Sequence, residues 1–353
     1  MSEYYNGDRI RKTGADMMII FGQRSSGKTY DAIAHAVREY IRDESQFVYM
    51  RRYEDEITPS VLSELLSGHA DQITEAFGEG ATCRYYSRKF MLNTPEKKDI
   101  IGHTMSISGY MAYKGSQYPR VKTIILDEFL SKRPYSYVSR NPTQEVDDFL
   151  QNVSTIVRGR TDVKIYLLGN TVTRNNAFFK VLGIDPEEIQ IGQIVKFSTD
   201  KGLKIAVERT PDAAASRKSE KYFDFDTTAA RMITSGEWEA PEYNDKVNGE
   251  DAKKAISEWR SYREGVRIHY TPKVSSHGVY IYLPSKRGLP LVASTSCYRV
   301  NSAIEVADIR ELTLLRKKMY IHVMQLVVRG LYRSTDSLAS ENFELFCRNS
   351  GLQ

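Results

Sequence analysis

Apolar residues along this chain fall into two spacings, and their alternation sets out the fold. Nearly unbroken runs, Met17-Met18-Ile19-Ile20-Phe21, Phe47-Val48-Tyr49-Met50, Ile124-Ile125-Leu126 and Val163-Lys164-Ile165-Tyr166-Leu167-Leu168, predict strands buried on both faces. Between them apolar residues recur at helical spacing: Ala32, Ile33, Ala36, Val37, Tyr40 and Ile41; then Val61, Leu62, Leu65, Leu66, Ile73 and Phe77. A further stripe, Val146, Phe149, Leu150, Val153, Ile156 and Val157, reads as the buried face of a third helix, with Asp147-Asp148 elsewhere on its surface. The second stripe opens at Thr58-Pro59 as N-cap and first helical position, and ends at Gly78 and Gly80. The third opens at Asn141-Pro142 and closes at Arg158-Gly159-Arg160, with Gly159 suited to a left-handed cap. Strand and helix in alternation predict an α/β domain with a mostly parallel sheet. Residues 82–92 and 99–107 predict two strands of a hairpin-like excursion across a polar turn at 93–98. Residues 192–208 alternate as a hairpin turning at Asp200-Lys201-Gly202.

The pattern weakens near Thr210. Pro211-Asp212-Ala213-Ala214-Ala215-Ser216-Arg217-Lys218 has no strong apolar face, and 209–240 reads as a small helical linker. Beyond it, strands at 265–270, 278–283 and 290–296, a long helix over 312–332 and a shorter one ending Phe343-Glu344-Leu345-Phe346 predict a second, α+β domain over 241–353. The first domain then covers 1–208. A length of 353 residues with 41% hydrophobic and 27% charged content describes a globular protein with a sizeable core. No apolar stretch reaches the length of a bilayer span, and the polar residues 1–8 carry no signal-peptide pattern. Cys83, Cys297 and Cys347 are odd in number and in no metal-ligand spacing, which predicts a reducing cytoplasm. Charge adds one refinement. Residues 241–353 hold 17 of the 50 Lys/Arg and 12 of the 45 Asp/Glu, so the whole net charge of +5 lies there. A polyanionic partner and a solvated basic face fit that balance equally.

Chemistry concentrates in two places. Gly22-Gln23-Arg24-Ser25-Ser26-Gly27-Lys28-Thr29 fits G-x-x-x-x-G-K-[ST] between a predicted strand and a predicted helix, the setting of a phosphate-binding loop. Gly22 and Gly27 let the backbone curl so that its N–H groups point inward, and the helix N-terminus adds partial positive charge. Lys28 is expected at the β- and γ-phosphates of ATP and Thr29 at Mg²⁺. Gln23, Arg24, Ser25, Ser26 and Tyr30 complete the expected nucleotide contact. The second place is Lys122-Thr123-Ile124-Ile125-Leu126-Asp127-Glu128, an apolar strand ending in two carboxylates. Behind a phosphate loop it reads as the other half of an ATPase site, with Asp127 holding Mg²⁺ and Glu128 polarising the attacking water. Asn170 ends the strand that follows. Sensing the γ-phosphate there, at the strand end where ligands bind in open α/β sheets, and a plain turn role both fit it.

These motifs together resemble the DNA-packaging ATPases of phi29-like tailed bacteriophages. The resemblance rests on the loop with its internal Arg24, then Phe47-Val48-Tyr49-Met50-Arg51-Arg52-Tyr53, then Lys114 and Tyr118-Pro119 before the acidic strand. It continues in Arg158 and Arg160 leading to Asn170, and in Gly330-Leu331-Tyr332-Arg333 with Glu344-Leu345-Phe346. It is specific over 15–175 and loose over 210–310. It implies a P-loop ATPase of the ASCE type (additional strand, catalytic glutamate), acting as a homo-oligomeric ring, pentameric on the phage portal. Such a ring drives double-stranded DNA into a prohead, so the protein is expected in the host cytoplasm, transiently on the portal vertex and not in the mature virion. Arg158 matches the family's trans-acting finger, with Lys114 as a second basic candidate. Arg158 and Arg160 fit equally as caps on the preceding helix. Arg51 or Arg52 pairing with Glu128, holding it inactive until DNA is gripped, is a further expectation.

By the same resemblance the C-terminal domain is an RNase H-like nuclease without activity. The strands expected at its centre, 266–270 and 279–283, lack the Asp and Glu that two-metal cleavage needs. Docking on the portal and on a packaging RNA is the role implied for it. Arg84, Arg88, Lys89, Lys97 and Lys98 are DNA-contact candidates on charge alone. A helicase or remodelling ATPase, a P-loop phosphotransferase and a nucleotide-gated scaffold are the rival functions. The adjacent Glu128 favours hydrolysis over the last two.

Overall fold

The computed structural model describes residues 4–131, 143–211, 238, 266–271, 277–284, 290–297, 302–306, 317–329 and 331–349. The chain divides into two compact units, Met1–Glu239 and Ala240–Gln353. The first is built on nine strands: β1 (Met17–Gly22), β2 (Gln46–Arg51), β3 (Thr82–Tyr86), β4 (Lys89–Asn93), β5 (Lys98–Ser106), β6 (Val121–Asp127), β7 (Lys164–Asn170), β8 (Ile194–Ser198) and β9 (Lys204–Arg209). They lie in the order β3-β4-β5-β2-β6-β7-β1-β9-β8. From β5 to β9 every pairing is parallel, and the outer pairings are antiparallel.

Every residue of β1 is buried because both faces of the sheet are covered. Met17, Ile19 and Phe21 point to one side, where the helix Gln144–Val157 packs through Val146, Phe149 and Ile156. Met18 and Ile20 point to the other, where the helix Lys28–Asp43 packs through Ala32, Ile33, Ala36, Val37 and Tyr40. This is the mostly parallel α/β architecture expected from the alternation. Trp238, inside the stretch read as a linker, is buried and stacks on Phe21 at 5.6 Å.

Local expectations needed correction. The stretch 82–92 is two strands, because Ser87 and Arg88 at φ 49° and 61° turn the chain back on itself. It is also no excursion, since β5 joins the main sheet beside β2. The stripe from Val61 to Phe77 is split between the helices Pro59–Ser67 and Ala70–Phe77. On Gln144–Val157, Leu150 is 48% exposed and Asp148 is buried, so the buried stripe is narrower than the periodicity gave it. Asn141 and Pro142, read as that helix's start, lie outside the described residues. The hairpin at 192–208 forms as β8 and β9, and β9 also pairs in parallel with β1.

The second unit holds β10 (Val266–Tyr270), β11 (Val279–Leu283), β12 (Leu291–Ser294), β13 (Ser302–Val306) and β14 (Tyr332–Ser334) in the order β13-β10-β11-β12-β14. Two helices, Lys317–Val328 and Ser337–Asn349, share its core through Val323, Leu326, Phe343 and Phe346. Tyr332, read as the end of a long helix, is in β14, and residues 312–316 of that reading lie outside the described residues. β10 and β11 are interior strands without Asp or Glu, while β13 carries Glu305 opposite His269. No helix among the described residues is long and apolar enough to cross a membrane.

Candidate functional site

The motif residues meet at the C-terminal ends of β1, β7 and β6. Parallel register sets Gly22 beside Asn170, and Asp127 one strand further along beside Leu168. The loop from Gly22 needs its glycines. A Cβ on Gly22 would lie 2.1 Å from Thr210 Oγ1, and Gly27 sits at φ 94° against Tyr4. Tyr5 ties the loop down from outside, its backbone N–H donating to Ser26 O at 2.8 Å.

Lys28 opens the helix and is buried. Its ammonium donates to Gln23 O at 2.5 Å, Ser26 Oγ at 3.1 Å and Asn170 Oδ1 at 3.2 Å. Burial pushes the Lys28 pKa down to about 8, with Asp127 opposing and Arg24 reinforcing the shift. Thr29 Oγ1 donates to Asp127 Oδ1 at 3.0 Å. A hydroxyl and a buried carboxylate in contact are the hard oxygen donors that suit a cation such as Mg²⁺.

Two residues join this group from β2. Tyr49 donates its hydroxyl to Asp127 Oδ2 at 2.7 Å, and burial beside that carboxylate raises the phenol's pKa well above its usual value, so it remains a donor. Arg51 donates from Nε to Tyr49 OH at 2.8 Å and forms ion pairs with Asp127 at 3.4 Å and Glu128 at 2.6 Å. Burial opposes the Arg51 charge, but Asp127, Tyr49 and Glu128 outweigh it and raise its pKa. Glu128 has φ 57°, a left-handed turn straight after β6 that leaves its side chain 57% exposed. Residues 24–29 of the loop, the two carboxylates, Tyr49, Arg51 and Asn170 line one cavity of about 510 Å³, with Tyr30, Val61 and Leu65 also on its wall. Gly22 and Gln23, expected at the nucleotide, are outside that lining. Arrangement and size suit a nucleoside triphosphate.

The model of one known family, the podovirus DNA encapsidation protein (Gp16), matches residues 1–233. The chain belongs to that family. Its relatives include the DNA packaging protein of Bacillus phage B103, 26% identical over 203 residues, or 58% of this chain and 57% of the relative. The DNA packaging protein of Bacillus phage phi29 is 25% identical over 186 residues, 53% and 52% of the two chains. The chain spans about half the length of the curated relatives it matches. A solved structure described as the bacteriophage Phi-29 viral genome packaging motor assembly shares the fold, with a TM-score of 0.59 over 98% of this chain and 100% of that one at 17% identity.

In this Gp16-family chain the basic finger candidates lie away from the cavity lining. Arg158 is exposed and donates to Ser116 O at 2.7 Å and Thr155 O at 3.2 Å. Arg160 reaches four carbonyls, of Pro119, Tyr118, Val121 and Ile156, at 2.8–3.2 Å. Lys114 is exposed, with Nζ 5.2 Å from the Tyr110 ring centroid. The expected Arg–Glu128 pair is made by Arg51. Arg52 instead forms a buried two-point pair with Glu145 at 2.7 and 2.6 Å. Tyr49 was missed, although a tyrosine in a strand buried on both faces signals a hydroxyl that needs a partner. Of the basic hairpin residues, Arg88 pairs with Glu54, and Lys97 with Glu44 and Asp99.

Proposed function

We propose that this chain hydrolyses ATP and uses the energy to move double-stranded DNA into a prohead, as one subunit of a homo-oligomeric ring on the phage portal. The observation that supports this reading most is the meeting of Lys28, Thr29, Asp127 and Glu128 in one cavity of a DNA encapsidation family member. Strand β7 between β1 and β6 supports the ASCE assignment. The loop N–H groups and Lys28 bind the phosphates. Lys28 reaches them by leaving the protein oxygens that now hold it. Thr29 and Asp127 would hold Mg²⁺, which would supply positive charge against the phosphates. Glu128 accepts the proton of the attacking water. Asn170, 3.2 Å from Lys28 Nζ, senses the γ-phosphate through that ammonium.

Glu128 cannot orient water while Arg51 holds it at 2.6 Å, so the pair is an off position. Adjacent residues at a strand end face opposite ways. Arg51 therefore reads the carboxylates while Arg52 grips the helix Gln144–Val157, whose C-cap is Arg158. A shift of the β2 end releases Glu128 and displaces that helix together. Arg158, with two carbonyl contacts on an exposed side chain, can leave them to serve a neighbouring subunit as its finger. Arg160, with four, is a structural clamp. The C-terminal unit, RNase H-like by resemblance and basic in balance, docks on the portal and a packaging RNA. The protein acts in the host cytoplasm and leaves the filled head.

ATP turnover of the full chain with and without duplex DNA tests the reading, with Glu128→Gln as control. Stimulation by duplex that disappears in Glu128→Gln is the expected result. Turnover that survives Glu128→Gln refutes the assignment of the base.

A further inference from the structure

The helix Pro59–Ser67 carries more apolar surface than its packing uses. Leu62 and Leu66, one turn apart, are each 1% exposed in the core. Val61 and Leu65 lie one residue round the same helix and line the cavity; Leu65 also packs in part against the core, which leaves Val61 as the surplus. Val61 is 47% exposed there. Tyr30, just after the phosphate loop on the neighbouring helix, adds an aromatic ring to the same wall and is 55% exposed.

That ring is held from behind. His69 stacks on Tyr30 with centroids 4.4 Å apart and planes 29° from parallel. His69 is itself buried, and neither of its ring nitrogens has a hydrogen-bond partner. Burial pushes its pKa down to about 4, so at neutral pH an uncharged ring backs the tyrosine. An aromatic face beside exposed aliphatic surface has no use for phosphates, which the loop and Lys28 serve. It suits the one flat, weakly polar part of a nucleotide.

We infer that Tyr30, Val61 and Leu65 form the subsite for the nucleotide's base, with His69 fixing the tyrosine ring. This rests on the nucleotide-binding reading above and adds to it which part of the substrate the helix Pro59–Ser67 holds. Placing the base on that helix also makes nucleotide occupancy a constraint on the segment that follows Arg51 and Arg52.

Calorimetric titration of the full chain with ATP and with inorganic tripolyphosphate, which has no base, tests the inference. Tyr30→Ala combined with Val61→Ser should weaken ATP about tenfold or more while leaving tripolyphosphate within about twofold. Tyr30→Phe keeps the ring and should bind ATP as the parent does. Both positions are exposed, so the replacements leave the core intact, which a thermal melt verifies. Unchanged ATP affinity in the double variant, or equal weakening of both ligands, overturns the base subsite while leaving the phosphate site standing. A parent chain that binds neither ligand overturns the nucleotide reading and the subsite with it.

Discussion

The pair Arg52–Glu145 can be tested on stability alone. Both side chains are nearly out of solvent, at 5% and 4% exposure, and two hydrogen bonds of 2.7 and 2.6 Å join them. Breaking a buried pair by removing one partner strands a charge in low dielectric and costs about 3–5 kcal/mol, whereas replacing both with apolar residues of similar size is often near neutral. Glu145→Gln is therefore expected to destabilise the first unit by about 3 kcal/mol or more. At roughly 2–4 °C per kcal/mol for a unit of this size, that lowers its melting midpoint by about 6 °C or more. Arg52→Met with Glu145→Met should recover most of the loss. The chain has two tryptophans, Trp238 in the first unit and Trp259 in the second, so fluorescence in a Trp259→Phe background reports on the first unit. A loss below about 1 kcal/mol in Glu145→Gln, or a double variant as unstable as the single, would show that the pair does not carry a buried charge.

Three further outcomes follow from the same geometry. Lys28 has a folded pKa near 8 against an ordinary 10.5, so the unfolded chain binds more protons between those values and stability rises with pH across that window. Denaturant midpoints at pH 8 and 9.5 should show this gain, on the order of 1.5 kcal/mol, and Lys28→Met should lack it. Gly22→Ala forces a methyl to 2.1 Å from Thr210 Oγ1 and 3.3 Å from Thr210 N, which should cost about 1–3 kcal/mol and abolish tripolyphosphate binding by calorimetry. Leu150→Lys, at a 48% exposed position, should change the unfolding free energy of the isolated chain by no more than about 0.5 kcal/mol.

What the sequence made legible was contiguous. The loop Gly22–Thr29, its flanking strand and helix, and Asp127-Glu128 at a strand end are each specified by neighbours along the chain, and they emerge together because parallel register brings those ends to one edge. Ser87-Arg88 shows where local chemistry falls silent. A two-residue turn with both φ positive is ordinarily announced by Asn-Gly or Gly, and here neither residue gives that signal, so two strands read as one. Leu150, Val61 and Leu65 show a different limit. Periodicity reports how much apolar surface an element has, but the partner that covers it is chosen in three dimensions. The helix Gln144–Val157 rests on the sheet by a stripe too narrow to include Leu150, and buries Asp148 on its flank. The helix Pro59–Ser67 sends Leu62 and Leu66 to the core, packs Leu65 only in part against it and leaves Val61 over. Surplus apolar surface has no folding purpose, so its position beside the phosphate loop, next to an aromatic ring held by a buried histidine, is what directs attention to a ligand. Arg51 obeys the same logic with charge. A guanidinium at the end of a buried strand must find carboxylates, and of those on the described residues of this edge it takes the two that the chemistry requires.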